Sequence, residues 1–142
     1  MGSDLAAIDI LRDDYDYGRL RELINIWRRA SELFLNGDYY PHTSADLVSA
    51  GFLTRQYDDP QKNAGFIQCI THTEYTGGKI IIRPYSIADN EMYIFHNPET
   101  GVTVRKSGAE INEHGFEVAL SSRDACIWFY EITTVQKDFT EM

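Results

Sequence analysis

From Gly51 onward the chain is written in short β-rich runs separated by turn residues, and this pattern constrains the fold more than anything else in it. The runs predicted as strands are Phe52–Tyr57, Gly65–Thr73, Lys79–Tyr85, Glu91–Asn97, Val102–Lys106, Gly115–Leu120 and Ala125–Thr133. Between them stand Asp58-Asp59-Pro60, Gly77-Gly78, Ala88-Asp89-Asn90, Asn97-Pro98-Glu99-Thr100-Gly101 and Ser121-Ser122-Arg123-Asp124, residue types that punctuate strands. Gly77-Gly78 reads as a hairpin turn. Phe116, Val118 and Leu120 alternate with Glu117 and Ala119, as in a strand with one wet face. Ile80-Ile81-Ile82 and Cys126-Ile127-Trp128-Phe129-Tyr130 are apolar at every position and predict central strands, or strands covered on both faces. Parallel pairing needs long crossovers that these loops cannot supply. The pattern therefore predicts a mainly β chain, an antiparallel sandwich of about seven or eight strands, with no helix between them.

One amphipathic helix precedes the strands, over residues 16–36. Leu20, Leu23, Ile24, Trp27, Ala30 or Ser31, and Phe34 recur at helical spacing and form an apolar stripe. Asp16 is placed to cap its first turn, Tyr15 and Leu20 to staple it, and Gly37 to end it in a left-handed conformation. The expected organisation is a helical segment over 1–40, a sandwich over 41–135 and a flexible tail over 136–142.

Charge excludes some partners. With 13 basic and 22 acidic residues the chain carries a net charge of −9, and it has no basic run, so nucleic acid and anionic membrane surfaces are not expected partners. No signal-peptide pattern opens the sequence, which favours the cytoplasm. The two cysteines, Cys69 and Cys126, sit in apolar runs and read as free buried thiols, with a single cross-sheet disulfide as the alternative.

Catalytic and cofactor signatures are missing from the pattern. His42, His72, His96 and His114 have no second ligand at metal-site spacing, and no nucleophile elbow, dinucleotide fingerprint or phosphate loop is present. No cofactor is therefore expected. The segment Asn36-Gly37-Asp38-Tyr39-Tyr40-Pro41 stands apart. It reads either as a rigid corner, with Pro41 fixing its own φ and Asp38 bonding nearby amides, or as an aromatic edge on which a sugar stacks. Asp38, Tyr39 and Tyr40 are thus the candidate substrate-binding residues.

Ordered blocks along the chain carry a resemblance. Gly37-Asp38-Tyr39-Tyr40-Pro41, Arg55-Gln56-Tyr57-Asp58-Asp59-Pro60 and Gly65-Phe66-Ile67-Gln68 are followed by Ser107-Gly108-Ala109-Glu110-Ile111, Gly115-Phe116-Glu117-Val118 and Ala125-Cys126-Ile127-Trp128-Phe129-Tyr130. Together they resemble the C-terminal part of melibiase-type α-galactosidases, in which a last barrel helix runs into a Gly-Asp-Tyr-Tyr-Pro corner and then a β-sandwich. The second group of blocks resembles that family's closing strands. His42 and Thr71-His72-Thr73 depart from the family pattern.

The resemblance implies a retaining α-galactosidase as parent, with its catalytic aspartates on a (β/α)₈ barrel. Such a barrel takes about 250 residues, more than the 142 of this chain. No catalytic residue carries over. The expected function is a non-catalytic domain that braces the barrel or builds an oligomer, with an autonomous carbohydrate-binding module as the alternative. A binding module would display coplanar rings drawn from Tyr39, Tyr40, Tyr57, Tyr75, Tyr85 and Tyr93. The expected partners are the missing barrel, an α-galactoside glycan, or a second copy joined through Leu20, Trp27 and Phe34. A helix stripe cut from its barrel is costly to leave in water, so Trp27 and Phe34 are expected to be covered by the sandwich or by self-association.

Overall fold

The computed structural model describes residues 12–43 and 51–133; the expected tail over 136–142 lies outside them. The elements are α1 (Tyr17–Asn36), β1 (Asp38–Pro41), β2 (Phe52–Asp59), β3 (Ala64–Thr71), β4 (Lys79–Ile82), β5 (Met92–His96), β6 (Thr103–Ser107), α2 (Gly108–His114), β7 (Phe116–Ala119) and β8 (Ala125–Ile132). Six strands form one sheet in the order β1-β2-β3-β8-β5-β6, and β4 pairs with β7 in a second sheet. Every pairing is antiparallel, so the mainly β, antiparallel two-sheet reading holds.

The large sheet is buried on both faces. On one side it packs on the small sheet and α2, around Ile67, Phe95, Tyr130, Ile80, Ile82, Phe116, Val118 and Ile111. The Phe95 and Phe116 rings stack across that interface at 4.2 Å. On the other side α1 lies over Phe66, Ile127 and Phe129 through Ala30 and Leu33, with Ile26 beside them. The alternation of strand side chains thus supplies two cores from one sheet.

α1 begins where Asp16 accepts a hydrogen bond from the Arg19 amide at 2.9 Å. It ends differently from the prediction. Gly37 has φ −98° and ψ 170°, extended rather than left-handed. Glycine is needed there for close approach, since a Cβ would lie 2.6 Å from the Leu33 carbonyl oxygen and 2.7 Å from that of Asp58. The Tyr15 ring packs edge-on against Tyr17.

Other expectations are corrected. The predicted corner at Asp38–Pro41 is an edge strand, a place that tolerates Pro41 because its missing N–H faces no neighbour. Residues 107–111, likened to a closing strand, begin α2. Ser107 and Glu110 form a reciprocal capping box that satisfies the amides of Ser107 and Glu110, and Arg83 donates to the Asn112 and Glu113 carbonyls at the other end. A helix therefore does stand between strands. Ile80-Ile81-Ile82 is not covered on both faces: Ile81 is 60% exposed, because the small sheet has only its inner face packed. Gly77 and Gly78 both take positive φ, but β3 and β4 lie in different sheets, so they turn a crossover rather than a hairpin.

Candidate functional site

Two features of the described residues stand out, a buried polar clasp and an open apolar face on α1.

The clasp is built where β2 presents Thr54, Gln56 and Asp58 to the sandwich interior. Gln56 is fully buried. Its Nε2 donates to the Tyr85 carbonyl at 2.9 Å and to Tyr130 Oη at 2.6 Å, while its Oε1 accepts from the Tyr85 amide at 2.8 Å. The side-chain amide thereby imitates a strand neighbour for the segment after β4. Oε1 also lies 3.0 Å from His42 Nε2, which must donate there because the amide orientation is already fixed by Tyr85. Tyr130 Oη in turn donates to Asp58 Oδ1 at 2.6 Å. Every donor of this clasp meets an acceptor. Burial holds the His42 ring below its ordinary value, opposed by the Gln56 hydrogen bond.

Burial pushes the Asp58 carboxyl up, the Tyr130 hydrogen bond opposes it, and the charges of Asp38 and Asp59 add to it. The folded chain therefore holds a proton on Asp58 more tightly than the unfolded chain does. The stability this contributes is full below about pH 4 and is lost as pH rises through the raised native value. Asp58→Asn still accepts from Tyr130 but does not titrate. Denaturant unfolding should show the wild type losing stability relative to Asp58→Asn between about pH 4 and neutrality. Parallel pH profiles would contradict the raised value.

In β1 the pleat sends Asp38 and Tyr40 to one face and Tyr39 to the other. Asp38 is exposed opposite Asp58. Tyr39 packs on Tyr57 at 5.1 Å, on the α1 side. Tyr40 stacks on Tyr85 at 4.9 Å, on the clasp side, where His42 also stacks on Tyr85. The structure does not gather them into one site. Among the other rings proposed for a coplanar platform, Tyr93 is buried at 2% exposure and Tyr75 packs edge-on against Phe52. Among the described residues no three His, Cys, Asp or Glu side chains come together as a metal site would require. No helix among them is long and apolar enough to cross a membrane.

The second feature follows from how α1 is rolled. Its docked edge is Ile26, Ala30 and Leu33, held by Arg19 pairing with Glu99 at 2.6 Å and by the Arg29 guanidinium 4.1 Å over the Phe129 ring. The stripe marked out by the sequence lies roughly a quarter turn away around the helix. It is only partly covered: Leu23, Phe34 and Leu35 are 42%, 49% and 74% exposed, and Leu20, Ile24 and Trp27 are half-buried. Of the two coverings expected for Phe34, the sandwich supplies only part, through Tyr57 edge-on at 5.1 Å. The sheet takes the edge carrying small Ala30, which lets helix and strands approach closely. Beside the stripe, Trp27, Phe34 and Tyr57 share a groove with Arg55 and Gln68, which are joined by a 2.8 Å hydrogen bond.

No family model matches this sequence, and none of the curated protein sequences compared with it does. Solved structures do match. A Lactobacillus brevis α-galactosidase superposes with a TM-score of 0.69 at 11% identity, over 92% of this chain and 18% of its own. The galactosidase domain of an α-galactosidase-sucrose kinase, AgaSK, gives 0.65 at 13% identity, over 87% of this chain and 17% of its own. A GH36 α-galactosidase variant from Geobacillus stearothermophilus, solved with raffinose, gives 0.65 at 12%, over 92% and 17%. The chain spans less than a fifth of each of these enzymes, and what it shares with that part of them is the fold.

Proposed function

We propose that this chain is the non-catalytic, C-terminal β-sandwich domain of an α-galactosidase-like glycoside hydrolase, and that the open face of α1 seats against the catalytic barrel of that enzyme. The observation that carries the reading is the stripe of Leu20, Leu23, Ile24, Trp27, Phe34 and Leu35, only partly covered although α1 is docked through Ala30 and Leu33. Each large side chain of this kind gains about 1.5–3 kcal/mol on full burial, so such a face is held for a partner. The match to a small fraction of several α-galactosidase chains favours the remainder of a parent enzyme as that partner. Self-association through the same residues would satisfy the stripe in its absence.

The stripe can be tested on the isolated chain. Leu23→Ser, Phe34→Ser and Leu35→Ser together should change the unfolding free energy by no more than about 0.5 kcal/mol per site, as surface substitutions do. Binding of a hydrophobic dye should fall several-fold, and any dimer seen by light scattering should become monomer. A large loss of stability would mean that the stripe is packed within the chain and is not a partner surface.

A second reading, an autonomous carbohydrate-binding module, is favoured by the groove in which Trp27 and Phe34 stand beside Arg55 and Gln68. Flat rings with planar polar groups at their edge suit a sugar's apolar face and hydroxyls. Saturable binding of galactose, melibiose or raffinose in calorimetric titration, lost in Trp27→Ala, would establish it over the bracing role.

A further inference from the structure

Cys69 and Cys126 are the chain's two cysteines, and the fold sets them directly opposite one another on β3 and β8, two central strands of the large sheet. Both thiols are free. Both belong to the sandwich-facing core, Cys69 fully buried within it and Cys126 half-buried at its margin. Two residues along the same pair of strands, the Thr71 amide donates to the Asp124 carbonyl at 2.8 Å. By the alternation of antiparallel ladders, the Cys69/Cys126 pair is then of the hydrogen-bonded kind, with Cα atoms about 5.5 Å apart. That is inside the range a disulfide can span, although the Cβ atoms must draw together from the spacing usual across a sheet.

We infer that this pair is a two-thiol oxidation site, in which Cys126 meets an external oxidant of the low-molecular-weight disulfide class and Cys69 resolves it. Their exposures assign the roles. The neighbouring Cys69 holds the Cys126 thiol below its ordinary value, while Cys126 and burial push the Cys69 thiol above its own. The Cys126 thiolate attacks one sulfur of the reagent; a mixed disulfide forms and one thiolate leaves. Cys69 loses its proton to solvent and attacks the Cys126 sulfur, releasing the second thiolate. Two electrons pass from the protein to the reagent, whose disulfide ends as two thiolates, and the two cysteine protons go to solvent. A bond closed across a hydrogen-bonded pair of strands is strained and is easily reduced again.

The test uses the intact native chain and dithiobis-nitrobenzoate. The expected result is release of two nitrobenzoate thiols per chain with no adduct retained, the protein mass falling by about 2 Da as two hydrogens leave. Dithiothreitol should restore the original mass. In Cys69→Ala the reaction should stop with one thiol released and one adduct on Cys126. In Cys126→Ser, with only the buried thiol left, reaction should slow at least about 100-fold in the folded protein. Two retained adducts on the wild type, a stable single adduct, or reaction only after unfolding would each overturn the proposal. These readouts on the wild-type chain decide it even if a variant fails to fold.

Discussion

Gln56→Leu should cost about 3–4 kcal/mol of folding stability, although the two side chains are nearly the same size. Gln56 is fully buried and serves four partners: the amide and carbonyl of Tyr85, Tyr130 Oη and His42 Nε2. A leucine leaves each without its acceptor or donor, at about 1–3 kcal/mol for every group that cannot reach water. Tyr130 keeps Asp58 and the exposed Tyr85 segment recovers some solvent, which brings the sum down to the stated range. Gln56→Glu separates hydrogen bonding from packing. It keeps the acceptor for Tyr85 and His42 but presents an oxygen to the Tyr85 carbonyl, so it should be at least as damaging at neutral pH. Guanidinium unfolding followed by tryptophan fluorescence measures both. A loss below about 1 kcal/mol for Gln56→Leu, the size of one ordinary hydrogen bond, would show that the clasp is not what pins the Tyr85 segment.

Gly65→Ala should be comparably severe, at about 3–5 kcal/mol. Gly65 faces Tyr130 across β3 and β8. A Cβ there would lie 2.5 Å from Tyr130 Cζ and press on the Tyr130 hydroxyl and the Tyr57 carbonyl oxygen. None of these atoms is the loose end of a flexible chain, since Tyr130 is anchored to both Gln56 and Asp58. The methyl group therefore dislodges the clasp as well as clashing. Tyr130→Phe removes one of the atoms struck and the hydrogen bonds at once. The double variant should accordingly cost less than the two single losses added, by at least about 1 kcal/mol, as expected of residues sharing one site. Strict additivity would mean that Gly65 acts through the Tyr57 carbonyl alone.

Some of this molecule is legible in the sequence because local chemistry dictates it. Asp16 caps α1 wherever the helix goes, and β8 is apolar at successive positions because the large sheet is covered on both faces. Other features depend on what packs against what. Ile80-Ile81-Ile82 looks the same whether its outer face is covered or bare. In β2 the inward set is Thr54, Gln56 and Asp58 and the outward set includes Leu53 and Tyr57, so polarity points the wrong way and the clasp is hidden. The roll of α1 is likewise decided by Ala30 against the strands and by Arg19 and Arg29 reaching distant partners, not by its most apolar stripe. One missed element did carry a signal. Ser107 followed three residues later by Glu110 is a capping box, and it announces α2 within a stretch read as strand.

The Asp38-Tyr39-Tyr40 segment shows the same limit at the candidate site. Its composition suits sugar stacking, but as a strand it divides Tyr39 from Tyr40 across the sheet, where Tyr39 meets Tyr57 and Tyr40 stacks on Tyr85.

As proposed here, this chain is an accessory sandwich of an α-galactosidase-like hydrolase and carries no catalytic centre. Turnover of nitrophenyl α-galactoside by the purified chain tests it most directly, with each chromatographic fraction assayed for activity and for protein. The account predicts no turnover above buffer in any fraction. Activity that rises and falls with this chain across the peak would contradict it, and would place a catalytic site within these 142 residues.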